Sequence, residues 1–188
     1  MKVFDLVALL AAVLTFVSFG AGMRWFKKAN HATALKTCLI LSALVCAALQ
    51  VAAIALSHSP AAFRWVGIAL YLAAHVIYWW SLASHGGKRP AFALVNVKPS
   101  FLTMTGPYRL IRHPIYTAYL LVWLAGPVMA AQSWLLLTTV WMICFHYHAA
   151  WLEERSFAQS DLAEDYRAYK RRTGMFFPSL GAYLSARR

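Results

Sequence analysis

Five long apolar runs separated by polar segments organise this chain. They cover Val3–Met23, Thr37–Leu56, Phe63–Ala83, Pro114–Ala130, and a stretch from Ser133 to about Leu152. A helix needs about 20 mostly apolar residues to cross the hydrocarbon core of a bilayer. Backbone groups in lipid must find their partners within the segment, so each run predicts a helix. Ser84–His113 forms a long linker between the third and fourth runs, and a charged tail follows the fifth. The pattern predicts an all-α fold, a polytopic membrane helix bundle of about five transmembrane helices with an amphipathic helical tail. The whole of 1–188 reads as a single integral membrane domain, with three spans in 1–83 and two spans plus the tail in 84–188.

Local signals refine the ends of these helices. Pro60 and Pro114 sit near helix starts, where a proline costs no hydrogen bond. Gly126-Pro127 either kinks the fourth helix or ends it early. In the second case the fourth helix is too short to span, and it forms a partly re-entrant hairpin with the fifth. From Ser133 to Thr173 there is no glycine or proline. The fifth helix therefore either runs straight out of the membrane or breaks near Ser160-Asp161, with Asp161 and Glu164 as a capping box.

Composition supports the membrane reading. Apolar residues make up 61% of the chain and charged residues 13%, against about 45–50% and about 25% in soluble domains. The net charge is +12, but the cations are spread over the loops, as on a cytoplasmic membrane face, and nucleic acid is not the expected partner. Arg24, Lys27, Lys28 and Lys36 follow the first run; Lys88, Arg89, Lys98, Arg109 and Arg112 follow the third. The opposite side carries Lys2 and Arg64. With five spans, this places the N-terminus outside and the C-terminus in the cytoplasm. For a bacterial chain the location would be the inner membrane. The first run has no convincing cleavage site and reads as an uncleaved span. Trp25, Trp65, Trp79, Trp80, Trp134 and Trp151 fall at span ends, as an interfacial belt would have them. Cys38, Cys46 and Cys144 form no CxxC and suggest neither disulfide nor metal.

The candidate chemistry gathers at one face. Arg109, Arg112, His113 and Tyr116 surround the start of the fourth helix, where Pro114 fixes the first turn. The free N–H groups of such a turn favour an anion; the bland alternative is positive-inside anchoring. Glu153-Glu154, beside Trp151 at the inner end of the fifth span, are two of only six acids in the chain. Carboxylates near hydrocarbon must be solvated, paired, or bound to a cation. Either one of them pairs with Arg155 or an arginine of the first cluster, or both face a cationic ligand. A short turn joins the fourth and fifth helices, so their polar ends converge. The tail presents Tyr166 and Tyr169 on one helix face, among arginines suited to lipid headgroups. His148 stands one turn before Leu152 and is placed to reach the pocket of Glu153; His146, His75, Gln50 and Tyr78 read as interhelical hydrogen-bonding residues. A carboxylate-bearing, cationic ligand with a flat ring suits the first two clusters together. S-adenosylmethionine is one such molecule.

Gly106-Pro107-Tyr108, then Arg112-His113-Pro114-Ile115-Tyr116, Glu153-Glu154, Tyr166-x-x-Tyr169-x-x-Arg172 and Pro178 resemble the isoprenylcysteine carboxyl methyltransferase family, within the broader group of membrane phospholipid methyltransferases. The resemblance covers about the last ninety residues. It implies an integral membrane enzyme that transfers a methyl group from S-adenosylmethionine to a lipophilic acceptor entering from the bilayer, an isoprenoid or prenylcysteine-like carboxylate being favoured. The implied cofactor site comprises Tyr108, Arg112, His113, Pro114, Tyr116, His148, Leu152, Glu153 and Glu154, with Glu153 and Arg172 as catalytic candidates and Arg172 orienting a substrate carboxylate. One departure is Thr173-Gly174-Met175, where family members often have Val-Pro after the arginine. Two rivals remain at this point: a membrane reductase of sterol-reductase type using a nicotinamide cofactor, and a non-catalytic scaffold or transporter.

Overall fold

A computed structural model describes residues 3–27, 34–90 and 99–179. Lys2, Lys28 and Lys98, which entered the charge-based orientation, lie outside the described residues. The helices are α1 (Val3–Gly22), α2 (Ala34–Leu56), α3 (Ala61–Ala83), α4 (Pro114–Ala130), α5 (Leu136–Ala158) and α6 (Ala163–Arg172). Short 3-10 turns occupy Met23–Trp25, Gly106–Arg109 and Ser133–Leu135. Among the described residues there is no strand, only an isolated parallel bridge between Ile111 and Gly174. The helical membrane bundle expected from the apolar runs is the observed fold.

Four helices, α1, α2, α3 and α5, are long and apolar enough to cross a membrane. The fourth apolar run differs. α4 has 17 residues, about 26 Å at 1.5 Å per residue, short of the roughly 30 Å hydrocarbon core. It is instead the enclosed helix of the bundle, packed mainly on α3 and touching α1, α2 and α5. Its buried face includes Ile115, Ala118, Val122, Trp123, Ala125 and Met129.

α4 runs through Gly126-Pro127 to Ala130 and stops at Ala131, whose φ of 53° is left-handed. The early-ending alternative is therefore excluded, and the reason is local. Pro127 has no N–H to give the Trp123 carbonyl four residues back. That carbonyl accepts instead from Gln50 Nε2 of α2 at 3.1 Å and from Thr139 Oγ1 of α5 at 2.7 Å. Gly126 makes the approach possible, because a Cβ there would collide with the Gln50 amide. The backbone group that proline leaves unpaired becomes the point where three helices are tied.

Other polar pins join helices as the sequence suggested. Trp123 Nε1 donates to His146 Nε2 at 3.1 Å, and the Tyr78 hydroxyl donates to the Phe19 carbonyl at 3.2 Å. His75 Nδ1 contacts the Tyr71 carbonyl at 3.1 Å and Thr15 Oγ1 at 3.5 Å. Two expectations are corrected. Trp79 is not a belt residue: it packs between helices and donates to Ser18 Oγ at 3.0 Å. Trp25, Trp65, Trp80, Trp134 and Trp151 are exposed at the bundle edge. Arg64 is no loop charge either. It is 2% exposed, reaches the Ser57 carbonyl at 2.7 Å, and pairs with Asp5 at 3.4 Å, so it fastens α3 to α1.

α5 continues six residues past Leu152 to Ala158 and carries Glu153 and Glu154 within the helix. The chain then breaks near Ser160, as one alternative had it. The break uses a different cap: Leu162 precedes α6, with no side-chain cap bond, and Ser160 Oγ accepts from the Leu162 N–H at 3.2 Å. Asp161 sits one residue too early to cap.

The tie at Trp123 carries a prediction. Gln50→Leu and Thr139→Val should each lower stability by about 1 kcal/mol, the scale of interhelical hydrogen bonds in membranes. In a Pro127→Ala background, where the helix regains its own N–H, both losses should shrink. A double-mutant cycle by detergent-titrated unfolding measures this; equal losses in the two backgrounds would contradict the account.

Candidate functional site

The site is built where the linker, the start of α4, the end of α5 and the α6 tail meet. Gly106 has a φ of 58°, and a Cβ there would strike Ser84 Oγ, so glycine is required at the turn. Thr105 Oγ1 donates to the Ser84 carbonyl at 3.0 Å and holds the turn against the end of α3. The turn buries Tyr108, whose hydroxyl meets His85 Nε2 at 3.1 Å; His85 Nδ1 meets Thr103 Oγ1 at 2.9 Å.

After the turn the chain extends beside the tail. The Gly174 N–H donates to the Leu110 carbonyl at 3.2 Å, Arg112 N–H to the Gly174 carbonyl at 2.8 Å, and His113 N–H to the Met175 carbonyl at 3.1 Å. Thr117 Oγ1 adds a bond to the Phe176 carbonyl at 2.9 Å. This corrects the expectation that the N–H groups at this helix start stay free for an anion: those of Arg112 and His113 are taken by tail carbonyls. The segment Thr173-Gly174-Met175 has a structural purpose, since a Cβ at Gly174 would collide with the Phe177 carbonyl. α6 is held by the Tyr169 hydroxyl, which donates to the Tyr108 carbonyl at 2.7 Å, and by Tyr166 stacking on Phe157 at 4.6 Å.

The two glutamates divide the work. Arg112 Nε donates to Glu154 Oε1 at 2.8 Å, and Lys170 Nζ also binds Glu154. The Arg112 guanidinium further bonds the Thr173 carbonyl. Glu154 is thus the paired carboxylate, bound to an arginine of the first cluster rather than to Arg155. Glu153 instead faces an open cleft. His113, 4% exposed, lies between them, with Nε2 3.4 Å from Glu154 Oε1 and Nδ1 3.8 Å from Glu153 Oε2.

The cleft encloses about 1030 Å³ of atom-free space, part of it open to solvent. Its walls are charged on one side by Arg112, His113 and Glu153, and aromatic on the other through Phe26, Phe101 and Phe157. Tyr166 also lines it; its buried hydroxyl makes no hydrogen bond of good geometry, although the Glu154 carboxylate lies close by. Burial, reinforced by Glu154 and Glu153, pushes that hydroxyl far above the usual phenol range, so it remains a donor. Burial likewise raises Tyr108 well above the ordinary value, with the Glu153 charge adding to it.

Of the residues singled out from sequence, Tyr108, Arg112, His113, Tyr116 and Glu153 line the cleft together. Glu154 stands behind them as counter-ion. Pro114 opens α4 and is buried, while Leu152 packs against the Trp123–Met142 cluster. His148 and Arg172 are not brought to this cleft. His148 is exposed with its ring 5.8 Å from that of Trp151, and Arg172 is exposed with Nε on the Ala168 carbonyl at 3.4 Å. Reasoning from sequence missed His85, Phe101, Thr103 and Phe157. The available signal was a histidine beside Gly86-Gly87 right after a span, and a Phe-x-Thr just before the Gly-Pro turn.

A second cavity, almost wholly apolar, lies between α1, α2, α4 and α5 and holds about 910 Å³ of atom-free space. Tyr116 and Tyr119 line both cavities and form the wall between them.

His85 gives the site a pH dependence. Burial lowers its pKa from 6.5 to about 4. Between those values the unfolded chain binds a proton that the folded chain refuses, so stability falls as pH drops from 6.5 toward 4 and levels off below. The wild-type melting midpoint should fall between pH 7.5 and 5 by more than that of His85→Gln. Parallel shifts in the two proteins would show that His85 is not the group responsible.

No curated protein and no solved structure matches the chain. A family model described as phospholipid methyltransferase matches residues 62–160, from the start of α3 to the end of α5. The matched stretch holds His85, the Gly106 turn, the Arg112-His113-Pro114 segment and both glutamates, and it stops before α6. The chain is an integral membrane protein by its apolar helices, and by more than half of its length it belongs to the phospholipid methyltransferase family, a family of membrane methyltransferases.

Proposed function

We propose that this protein transfers a methyl group from S-adenosylmethionine to a lipophilic acceptor, with an isoprenoid or prenylcysteine-like carboxylate as the favoured class, in the cleft at the polar end of the bundle. The observation that carries this is the shared wall. A charged, aromatic cleft and an apolar cavity meet at Tyr116 and Tyr119, as transfer between a polar donor and a greasy acceptor requires. The loop charges favour the cytoplasmic side for the cleft.

The residues present fit such a donor. Its amino-acid part carries a carboxylate and an ammonium, and the cleft offers Arg112 and His113 beside Glu153. Its adenine matches the Phe26, Phe101 and Phe157 faces, and its ribose hydroxyls match the free Tyr166 hydroxyl. When bound, S-adenosylmethionine supplies an electrophilic sulfonium methyl group whose bond to sulfur breaks with the electron pair left on sulfur.

The protein's own part is placement and charge. Glu153 sets a negative group beside the sulfonium side of the site, in surroundings where water is largely excluded and charge interactions are strong. Arg112, already half neutralised by Glu154, presents its remaining charge without a large unpaired surplus. His113 is fixed by both carboxylates and closes the base of the cleft. A carboxylate acceptor is a nucleophile as it stands, so no residue has to remove a proton. Orientation and exclusion of water are then the main sources of rate. Arg172, exposed at the end of α6, has no part in this assignment.

His113→Ala and Glu153→Ala should each weaken S-adenosylmethionine binding at least about tenfold, a loss of about 1.4 kcal/mol. Titration calorimetry on the detergent-purified protein tests this. The purified enzyme, incubated with methyl-labelled donor and a lipid extract, should also yield a labelled lipid. Unchanged affinity in both variants would remove the cleft as the donor site.

A further inference from the structure

The apolar cavity contains one polar group whose chemistry is left unused. Its walls come from Phe16, Met23, Leu39, Ala47, Val122 and their neighbours, and it opens between α1 and α2, where Gly20, Ile40 and Leu44 are exposed. Its polar atoms belong to Tyr116, Tyr119, Trp123 and His146. Two of these are engaged: the Tyr119 hydroxyl points to Met23 Sδ at 3.7 Å, and the Trp123 N–H donates to His146 Nε2 at 3.1 Å. His146 is 4% exposed, and its Nδ1 is buried without a hydrogen-bond partner.

The protonation of that imidazole follows from its neighbour. An indole N–H only donates, so Nε2 must offer a lone pair, and the proton of the neutral ring sits on Nδ1. Nδ1 is therefore a buried donor with nothing to donate to, a situation native proteins seldom leave uncompensated. The ring stacks on Tyr119 at 4.8 Å and 11° and lies 5.9 Å from the Tyr116 ring, so it stands beside the wall the two cavities share. A head group arriving from the bilayer must pass this point to meet the cleft.

We infer that His146 is the specificity-determining residue of the bilayer-facing cavity, donating from Nδ1 to a lone-pair oxygen on the head of a lipophilic molecule and thereby selecting oxygen acids over amines. A carboxylate oxygen accepts this bond; an alkylammonium has no lone pair and would set N–H against N–H. The selection depends on Trp123, which holds the ring in the donating tautomer. His146 keeps its proton throughout, and a carboxylate brings none to be lost. The inference rests on the proposed methyl transfer for its meaning but not for its test, which reads binding alone.

The experiment uses the full chain in nanodiscs and two probes with the same tail, hexadecanoate and hexadecylamine. His146→Leu should weaken hexadecanoate binding about tenfold, with the amine affinity unchanged and S-adenosylmethionine affinity retained. His146→Gln, which still accepts from Trp123 and donates from its amide, should recover most of the loss. Trp123→Phe keeps the imidazole but frees its tautomer, and it should narrow the carboxylate-to-amine ratio; it decides the matter even if His146→Leu folds poorly. Equal effects on both probes, or an unchanged ratio in Trp123→Phe, would overturn the inference. Failure of the wild-type protein to bind S-adenosylmethionine would sink the proposed function while leaving the probe ratio as measured.

Discussion

The neutralisation of Glu154 is the constraint on which the polar end of the molecule depends. A carboxylate with 11% of its side chain exposed, at the end of a membrane helix, is tolerated only with partners. It takes Arg112 from the start of α4, Lys170 from α6 and His113 from the α4 cap. Three separate chain segments are drawn to one point by one charge. The tail carbonyls of Gly174 and Met175 then complete the backbone of the segment before α4, and Tyr169 closes α6 over Tyr108. With Glu154 satisfied in this way, its neighbour Glu153 is left free to face the cleft. Adjacent residues on a helix point about 100° apart, so a pair that looks redundant in sequence has two unlike duties in space.

α4 is the other organising element. His113, Tyr116, Tyr119 and Trp123 recur at spacings of three and four, so they form one stripe along the helix. The stripe begins in the charged cleft, passes through the wall shared by the two cavities, and ends against His146 in the apolar one. The same helix carries Pro127, and the carbonyl this proline frees is the knot tying α2 and α5 to α4. A short, enclosed helix can carry such a stripe because it has little lipid-facing surface to maintain. The four long helices, with their exposed leucines and valines, supply that surface around it.

Much of this was legible in the chain. The apolar runs located the spanning helices closely, and α4 was bounded at Pro114 and Ala130 by its flanking sequence. The convergence of the Arg112-His113 and Glu153-Glu154 clusters followed from one short turn between two antiparallel helices. Three things were not legible. Which glutamate was paired depends on the rotation of α5, which sequence spacing leaves open. The two histidines of α5, His146 and His148, differ by that same rotation, so His148 was expected near Glu153 but is turned outward. His85 and Thr103 enter the site only because Gly106 adopts a left-handed turn against Ser84, a tertiary contact without a periodic pattern. Arg64 was read as a loop charge because its partner, Asp5, lies 59 positions away on another helix.

The two cavities have consequences for what any substrate must look like. They are separated by no more than two tyrosine rings, and one is open toward cations and anions while the other is open toward hydrocarbon. Neither cavity suits a molecule that is polar throughout together with one that is apolar throughout, since such a pair would not meet. On the proposed reading, the acceptor is an amphiphile: its tail stays among α1, α2 and α5, and its head reaches the tyrosine wall. That geometry lets the bilayer, rather than the cytoplasm, set the acceptor's local concentration, and it lets Glu153 and Arg112 retain a polar donor without exposing it to lipid. Chemical discrimination then falls to the few polar atoms beside the wall, because the rest of the apolar cavity distinguishes substrates only by size.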